Sequence, residues 1–203
     1  MLFLFDDQFY AEGINSLCGV DEAGRGPLAG PVVAGAVVLG RGVRLEGIRD
    51  SKELTPQKRE NFYTMILANA VAWGVSVVDH DVIDRINIFR ASLLAMEQSV
   101  RGLGLTCDLV LVDGRHELCG DIPCMALVGG DRRSARIAAA SIIAKVTRDR
   151  IMVGYHGSYP HYNFARNKGY GTAEHLAALR RYGPCPIHRK TFSGVREMIH
   201  EAG

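Results

Sequence analysis

The stretch Val20-Asp21-Glu22-Ala23-Gly24-Arg25-Gly26-Pro27-Leu28-Ala29-Gly30-Pro31 (VDEAGRGPLAGP) decides how the rest of the chain is read. A short apolar run, Leu17–Val20, ends in two adjacent carboxylates. A turn rich in Gly and Pro follows. The β-branched run Val32–Leu39 (VVAGAVVL) then reads as a buried strand. The pattern predicts two paired strands with an elaborate connection. Glycine-rich turns after a strand often hold phosphates on their backbone N–H groups. Two carboxylates at the mouth of such a turn repel a phosphate, so something positive has to stand between them.

Working outward, Asp50-Ser51-Lys52 lies in a polar loop. Thr55-Pro56 supplies an N-cap and a proline at the first helical position, which predicts a helix to about Ala70. Trp73–Val78 reads as a strand, and apolar residues recur at helical spacing from His80 to Val100. Leu109–Val112 is a continuous apolar run that ends at Asp113 and suits a strand buried on both faces. Met125–Val128 reads as the next strand and ends at Gly129-Gly130-Asp131. Helices are predicted over Ser134–Met152, Thr172–Arg181 and Gly194–Glu201. Strands alternating with helices give an α/β domain with a mixed sheet, whose chemistry gathers at the carboxyl ends of the strands.

Three of these runs end in acid. If the strands are neighbours, Asp21, Glu22, Asp113 and Asp131 converge. Two carboxylates ~4 Å apart repel by roughly 4 kcal/mol at an effective dielectric of 20. Four together take up protons unless a cation balances them. A donor set of oxygens alone, without His or Cys, suits Mg²⁺ or Mn²⁺. Such ions draw in phosphates as further ligands, and a pair of them can activate water against a phosphodiester. The metal is then the positive layer between acids and phosphate. One constraint stands against this: adjacent residues on a regular strand face opposite ways. For Asp21 and Glu22 to share an ion, the strand must end or bend there.

The bulk properties agree with this picture. The 203 residues suit one domain with a real core. From Arg132 to Arg196 there are thirteen Lys or Arg and two acids, a net of +11, so the rest of a chain of net charge +2 stands at −9. Five tyrosine or phenylalanine residues, from Tyr155 to Tyr170, are interleaved with these cations, which favours a polyanionic partner. Cys18, Cys107, Cys119, Cys124 and Cys185 are odd in number and form no CxxC pair, so they read as reduced thiols in a cytoplasmic protein, not a zinc site. The start of the chain lacks the basic flank and long apolar run of a signal peptide, and no apolar run is long enough to cross a membrane. No obligate protein partner is indicated, and a monomer is expected. GRGPLAG is not a dinucleotide fingerprint, no Walker loop is present, and no Ser–His–Asp arrangement supports a serine hydrolase. Lys145, Arg148 and Arg150 read as the solvated face of their helix. His188 reads as a structural or phosphate neighbour.

Six segments occur in order: VDEAGRGPLAGPVVAGAVVL, DSKELTPQKR, LVDG, GDRRSARIAAASIIAKVTRDR, NKGYGT and HRKTFSGV. Together they cover nearly the whole chain, and the set closely resembles ribonuclease HII, the type 2 branch of the ribonuclease H superfamily. The resemblance implies one catalytic domain over residues 1–203. Its core is a ribonuclease H-like mixed β-sheet flanked by helices, and a helical, substrate-binding C-terminal extension spans about 156–203. It implies a metal-dependent endonuclease that cleaves RNA in RNA–DNA hybrids. It also implies incision 5′ of single ribonucleotides in duplex DNA, leaving 3′-hydroxyl and 5′-phosphate ends. The family's metal-binding acids fall on Asp21, Glu22, Asp113 and Asp131, with Mn²⁺ or Mg²⁺ as cofactor. Gly24, Arg25 and Gly26 match the turn that reads the 2′-hydroxyl, the group that separates RNA from DNA. Tyr170 matches the tyrosine that packs on the sugar at the RNA–DNA junction. Ser51, Lys52, Arg189 and Lys190 are expected as phosphate clamps. The chain departs from the pattern at Gly129, where the family often has Lys, and at Lys190-Thr191 in place of Arg-Ser. The first leaves a cation missing near the fourth acid, and the second loses a planar fork.

Overall fold

The structure, a computed structural model, describes residues 2–118 and 121–201. Helix α1 (Leu2–Ala11) precedes β1 (Leu17–Ala23), β2 (Val32–Leu39), α2 (Pro56–Asn69) and β3 (Ala70–Val78). Helices α3 (His80–Ile86) and α4 (Ile88–Arg101) lead to β4 (Leu109–Asp113) and β5 (Cys124–Leu127). The chain ends with α5 (Ala135–Ser158), α6 (Phe164–Asn167), α7 (Ala173–Tyr182) and α8 (Arg196–Glu201). The five strands form one sheet in the order β3-β2-β1-β4-β5. β1 pairs antiparallel with β2, and β2 with β3, while β1–β4 and β4–β5 are parallel. This is the mixed α/β sheet that the alternation of runs predicts. It brings the carboxyl ends of β1, β4 and β5 to one side.

The period of two on each strand sorts side chains onto two faces. On one face Val20, Ala34, Ala36, Val110 and Val112 pack against Ile83, Ala91, Ala95 and Met96 of α3 and α4. On the other, Val37 and Leu39 meet Ala138, Ala139, Ile142 and Ile143 of α5, and Leu17, Leu111 and Leu127 meet Ile137. The small residues of α5 let it lie unusually close to β1. At Gly19 a Cβ would collide with the backbone of Arg136 and Ile137. Ser134 caps this helix, its Oγ accepting from the N–H groups of Arg136 (3.2 Å) and Ile137 (3.3 Å).

Several elements differ from the sequence reading. The helical run from His80 breaks at Asn87, which takes a left-handed φ of 67° and whose Oδ1 accepts from Arg90 N–H at 3.0 Å to cap α4. Helix α1 has no signal in the pattern. It is anchored by buried Asp6, which accepts from Ala135 N–H at 3.0 Å and pairs with Arg136 Nη1 at 2.9 Å. Helix α5 continues past Met152 to Ser158 because its last turns leave the sheet for a separate apolar cluster. There Met152, Tyr162, Phe164, Leu179, Ile187 and Val195 close around Ala29 of the glycine turn. The C-terminal helices are thus built onto the turn between β1 and β2. Cys18 and Cys107 are buried, and Cys124 and Cys185 are half-buried; Cys119 lies outside the described residues.

Candidate active site

Asp21 near the end of β1, Asp113 at the end of β4 and Asp131 just beyond β5 converge, each offering an oxygen within 4.8 Å of the others. Sheet order produces this meeting: β4 lies beside β1 and β5 beside β4. Asp113 Oδ1 is tied down by the N–H of Gly130 at 2.7 Å, which binds the end of β4 to the Asp131 turn. Asp21 Oδ1 accepts from the Glu22 N–H at 2.7 Å.

Glu22 stands apart from this trio. β1 stays in regular register with β2 through Ala23, with Asp21 opposite Gly35 and Glu22 opposite Ala34. The strand neither ends nor bends between the two acids. Asp21 therefore lies on the α5 side and Glu22 on the α4 side, where its Oε1 pairs with Arg25 Nη1 at 3.4 Å. The two sides remain electrostatically joined. Burial, then the charges of Glu22 and Asp113, push Asp21 well above the usual carboxylate range. Burial raises Glu22, Arg25 opposes the rise, and Asp113 adds to it. Burial and the charges of Asp113 and Asp50 lift Asp131 to about 6, against the pull of Lys52. Buried carboxylates held this close are a donor set for a hard cation.

The turn after Glu22 is held from beneath by two arginines. Gly24 has a φ of +104°, and a Cβ there would strike the Arg148 side chain and approach Pro31 O to 2.7 Å, so glycine is required. Arg189 donates to Gly24 O (2.6 Å), Arg25 O (3.0 Å), Gly30 O (2.9 Å) and Pro31 O (3.2 Å). Arg148 donates to Pro31 O (2.9 Å), Ala29 O (3.1 Å) and Lys168 O (3.0 Å). Both guanidinium groups are fully buried, and burial lowers Arg189 to about 9 and Arg148 to about 10.

This corrects two sequence expectations. Arg189 is no phosphate clamp, because its donors are committed to backbone carbonyls and it has no exposed surface. Arg148 does not belong to a solvated face but shapes the turn. Neither role has a sequence signal, since the acceptors are backbone carbonyls, all but that of Lys168 more than a hundred residues away.

The remaining expected site residues divide. Tyr170 is 43% exposed and borders the turn, its Cε1 3.8 Å from where a Gly26 Cβ would stand. Leu28 N–H donates to Gly169 O at 2.8 Å and fixes the two loops together. Lys52 is exposed, with Nζ 3.8 Å from Asp131 Oδ2, so a cation does stand beside the fourth acid although Gly129 supplies none. Ser51 is buried and its N–H donates to Ser141 Oγ at 3.4 Å. Lys190 is exposed, and its N–H donates to Asp84 Oδ2 at 2.9 Å. His188 is buried, as a structural neighbour.

Comparison with known proteins shows the family of the chain. The family model for ribonuclease HII matches residues 18–195. A ribonuclease HII of Geotalea daltonii is 53% identical over 98% of this chain and 92% of its own length. That of Geobacter sulfurreducens is 52% identical over 98% of this chain and 91% of its own. Among solved structures, ribonuclease H2 from Pyrococcus horikoshii superposes with a TM-score of 0.76 at 27% identity, over 92% of this chain and 98% of that one.

Proposed function

The chain belongs to the ribonuclease HII family, metal-dependent ribonucleases H that act on RNA–DNA hybrids, and from that premise we propose that it also incises duplex DNA 5′ of a single embedded ribonucleotide. The products are 3′-hydroxyl and 5′-phosphate ends, and the role is removal of ribonucleotides from DNA in the cytoplasm. One observation carries the reading. The strand that carries Asp21 into the three-carboxylate cluster runs on directly into the Gly24–Gly26 turn, and the Tyr170 ring borders that turn.

The donor chemistry fits a divalent cation. Asp21, Asp113 and Asp131 offer buried or half-buried oxygens that repel one another until a cation intervenes, and Glu22, whose charge acts on Asp21 from across β1, is assigned to a second position beside them. Mn²⁺ and Mg²⁺ both suit such oxygens. A bound ion supplies a nucleophilic water and neutralises charge on the phosphate and leaving oxygen.

The chain's own groups do the rest. Backbone groups of the turn, aimed by the Arg189 bonds, approach a 2′-hydroxyl where a side chain would intrude. Arg25, paired with Glu22, reaches the flanking backbone. Tyr170 presents a face to the sugar at the junction. Lys52 and Lys190 contact phosphates without reading sequence. The protein acts as one unit, with residues 156–203 adding substrate surface. Among the described residues no helix is long and apolar enough to cross a membrane.

The test is a pair of labelled duplexes, identical except for one ribonucleotide, with and without Mg²⁺ or Mn²⁺. Cleavage confined to the ribonucleotide duplex, 5′ of the ribose and dependent on the ion, is expected. Equal cutting of the all-DNA duplex overturns the reading.

A further inference from the structure

We propose that His175 and His188 are positioning residues that lock the Tyr170 loop to the glycine turn, holding the sugar-packing ring and the 2′-hydroxyl reader at one separation. This rests on the assignment of Tyr170 and the Gly24–Gly26 turn to the ribonucleotide junction.

The two rings form a continuous chain. His175 Nδ1 lies 2.9 Å from Tyr170 O, and its Nε2 lies 3.0 Å from His188 Nε2. His188 Nδ1 accepts from the Cys185 N–H at 2.9 Å. A carbonyl can only accept and an amide N–H can only donate. The two ends therefore fix every proton between them: His175 carries its proton on Nδ1, His188 on Nε2, and His188 donates to His175. No donor or acceptor in the neutral chain is left over.

Each end grips a different part of the substrate reader. The Tyr170 carbonyl is the His175 end. At the other end, His188 bridges to Ala29, with Gly30 N–H donating to Ile187 O (2.9 Å) and Arg189 N–H to Leu28 O (2.8 Å). The next side chain, Arg189, holds the carbonyls of Gly24 and Arg25. Both imidazoles are buried, and Tyr162 and Phe164 pack on both, with centroids 5.0 to 6.2 Å away. A hydrophobic pair could fill this space without desolvating four nitrogens. A directed chain sets ring planes and loop spacing in a way that apolar packing does not.

An added proton disrupts the arrangement. The nearest further acceptor is the Cys185 carbonyl, 3.2 Å from His188 Nδ1, and using it displaces the Cys185 N–H. The titratable groups acting on the pair or packed beside it are the Tyr162 phenol, which donates to Gly183 O, the Cys185 thiol, His80 and the adjoining Arg189. None of them brings negative charge at neutral pH.

The experiment has three arms on the full chain. Long-range proton–nitrogen NMR at neutral pH is expected to show the Nδ1–H tautomer for His175 and the Nε2–H tautomer for His188; the opposite tautomers overturn the proposal. Kinetics compare kcat on a single-ribonucleotide duplex with kcat on a continuous RNA–DNA hybrid, which lacks the junction sugar. The same acids cut both, so their ratio cancels effects at the carboxylates. His175→Gln keeps an acceptor for His188 but loses the donor to Tyr170, whereas His175→Asn keeps that donor and loses His188. Both are expected to lower the ratio roughly tenfold with little change in KM, because small displacements of a positioned substrate are costly. Acidifying the parental enzyme is expected to lower the same ratio. Folded variants with the parental ratio mean that the histidines serve stability alone. Tyr170→Ala separates the layers: an unchanged ratio there sinks the junction reading, whereas a changed ratio beside silent histidine variants sinks only this inference.

Discussion

At the carboxyl end of β1, Asp21, Asp113 and Asp131 crowd like charges together, whereas just beyond it Arg148 and Arg189 bury their charges among carbonyls. The first arrangement is unbalanced within the protein. The second is closed, with guanidinium donors pointed at backbone oxygens that would otherwise go unpaired. Adjacent regions thus divide the work. One keeps an electrostatic demand that a cation can meet, and the other fixes the shape of the turn beside it. Removing a charge should therefore do opposite things on the two sides.

The largest effect is expected at Asp113. Replacing it by Asn keeps an oxygen to accept from the Gly130 N–H but removes a charge from the cluster. Cleavage should fall roughly a thousandfold, about 4 kcal/mol of transition-state stabilisation. Thermal stability in chelator should hold or rise, because repulsion is relieved. A near-parental rate, or a melt far below the parent, removes the contrast. Arg148→Met is the counterpart. It strips a donor from Ala29, Pro31 and Lys168 in a buried site, and should cost about 3 kcal/mol in urea unfolding. Activity should follow the loosened turn. A cost under about 1 kcal/mol would mean that water replaces the guanidinium readily.

The acid half of this contrast was legible in the chain and the arginine half was not. Val20, Val112 and Val128 each precede or approach a carboxylate, so such ends meet if their strands are neighbours, and the sheet order supplies that condition. Strand periodicity warned that Asp21 and Glu22 face opposite ways, and the unbroken register through Ala23 realises that warning. Arg148 and Arg189 look like any other members of a basic segment. Their burial depends on carbonyls of Ala29, Gly30 and Pro31, which carry no side-chain signature and meet the arginines only through tertiary packing. Helix α1 was hidden for a similar reason: what holds it is Asp6 at the start of α5, a contact across 129 positions of sequence. The break at Asn87 lay inside an apolar rhythm that continues on both sides, so the rhythm masked it.

A third, smaller contrast is one of pH. Burial, with His175 beside it, lowers His188 to about 4 from an ordinary value of 6.5. This is a base whose folded value is depressed, so the unfolded chain binds more protons in that interval. Its contribution to stability is whole above 6.5 and is lost as pH falls toward 4. Between pH 7 and pH 5 the loss from this one group is about 2 kcal/mol. His188→Gln should lower stability at pH 7 yet flatten its decline on acidification by that amount, as followed by urea unfolding at a series of pH values. Parallel pH curves for parent and variant would show that the ring is not held neutral by its site.

The smallest effect is expected where charge is neither crowded nor enclosed. Lys52 Nζ lies 3.8 Å from Asp131 Oδ2, but the side chain is 77% exposed. An exposed pair of this kind contributes little to folding, so Lys52→Ala should change stability by less than about 0.5 kcal/mol. Its consequence should appear in binding instead. If the ammonium neutralises one backbone phosphate, its loss should weaken binding to hybrids of different sequence about equally. It should also reduce the slope of log affinity against log salt by roughly one. A titration over several salt concentrations, with calcium in place of the catalytic ion, measures that slope without turnover. An unchanged slope would assign Lys52 to Asp131 alone and leave the phosphate to Lys190 or Arg25.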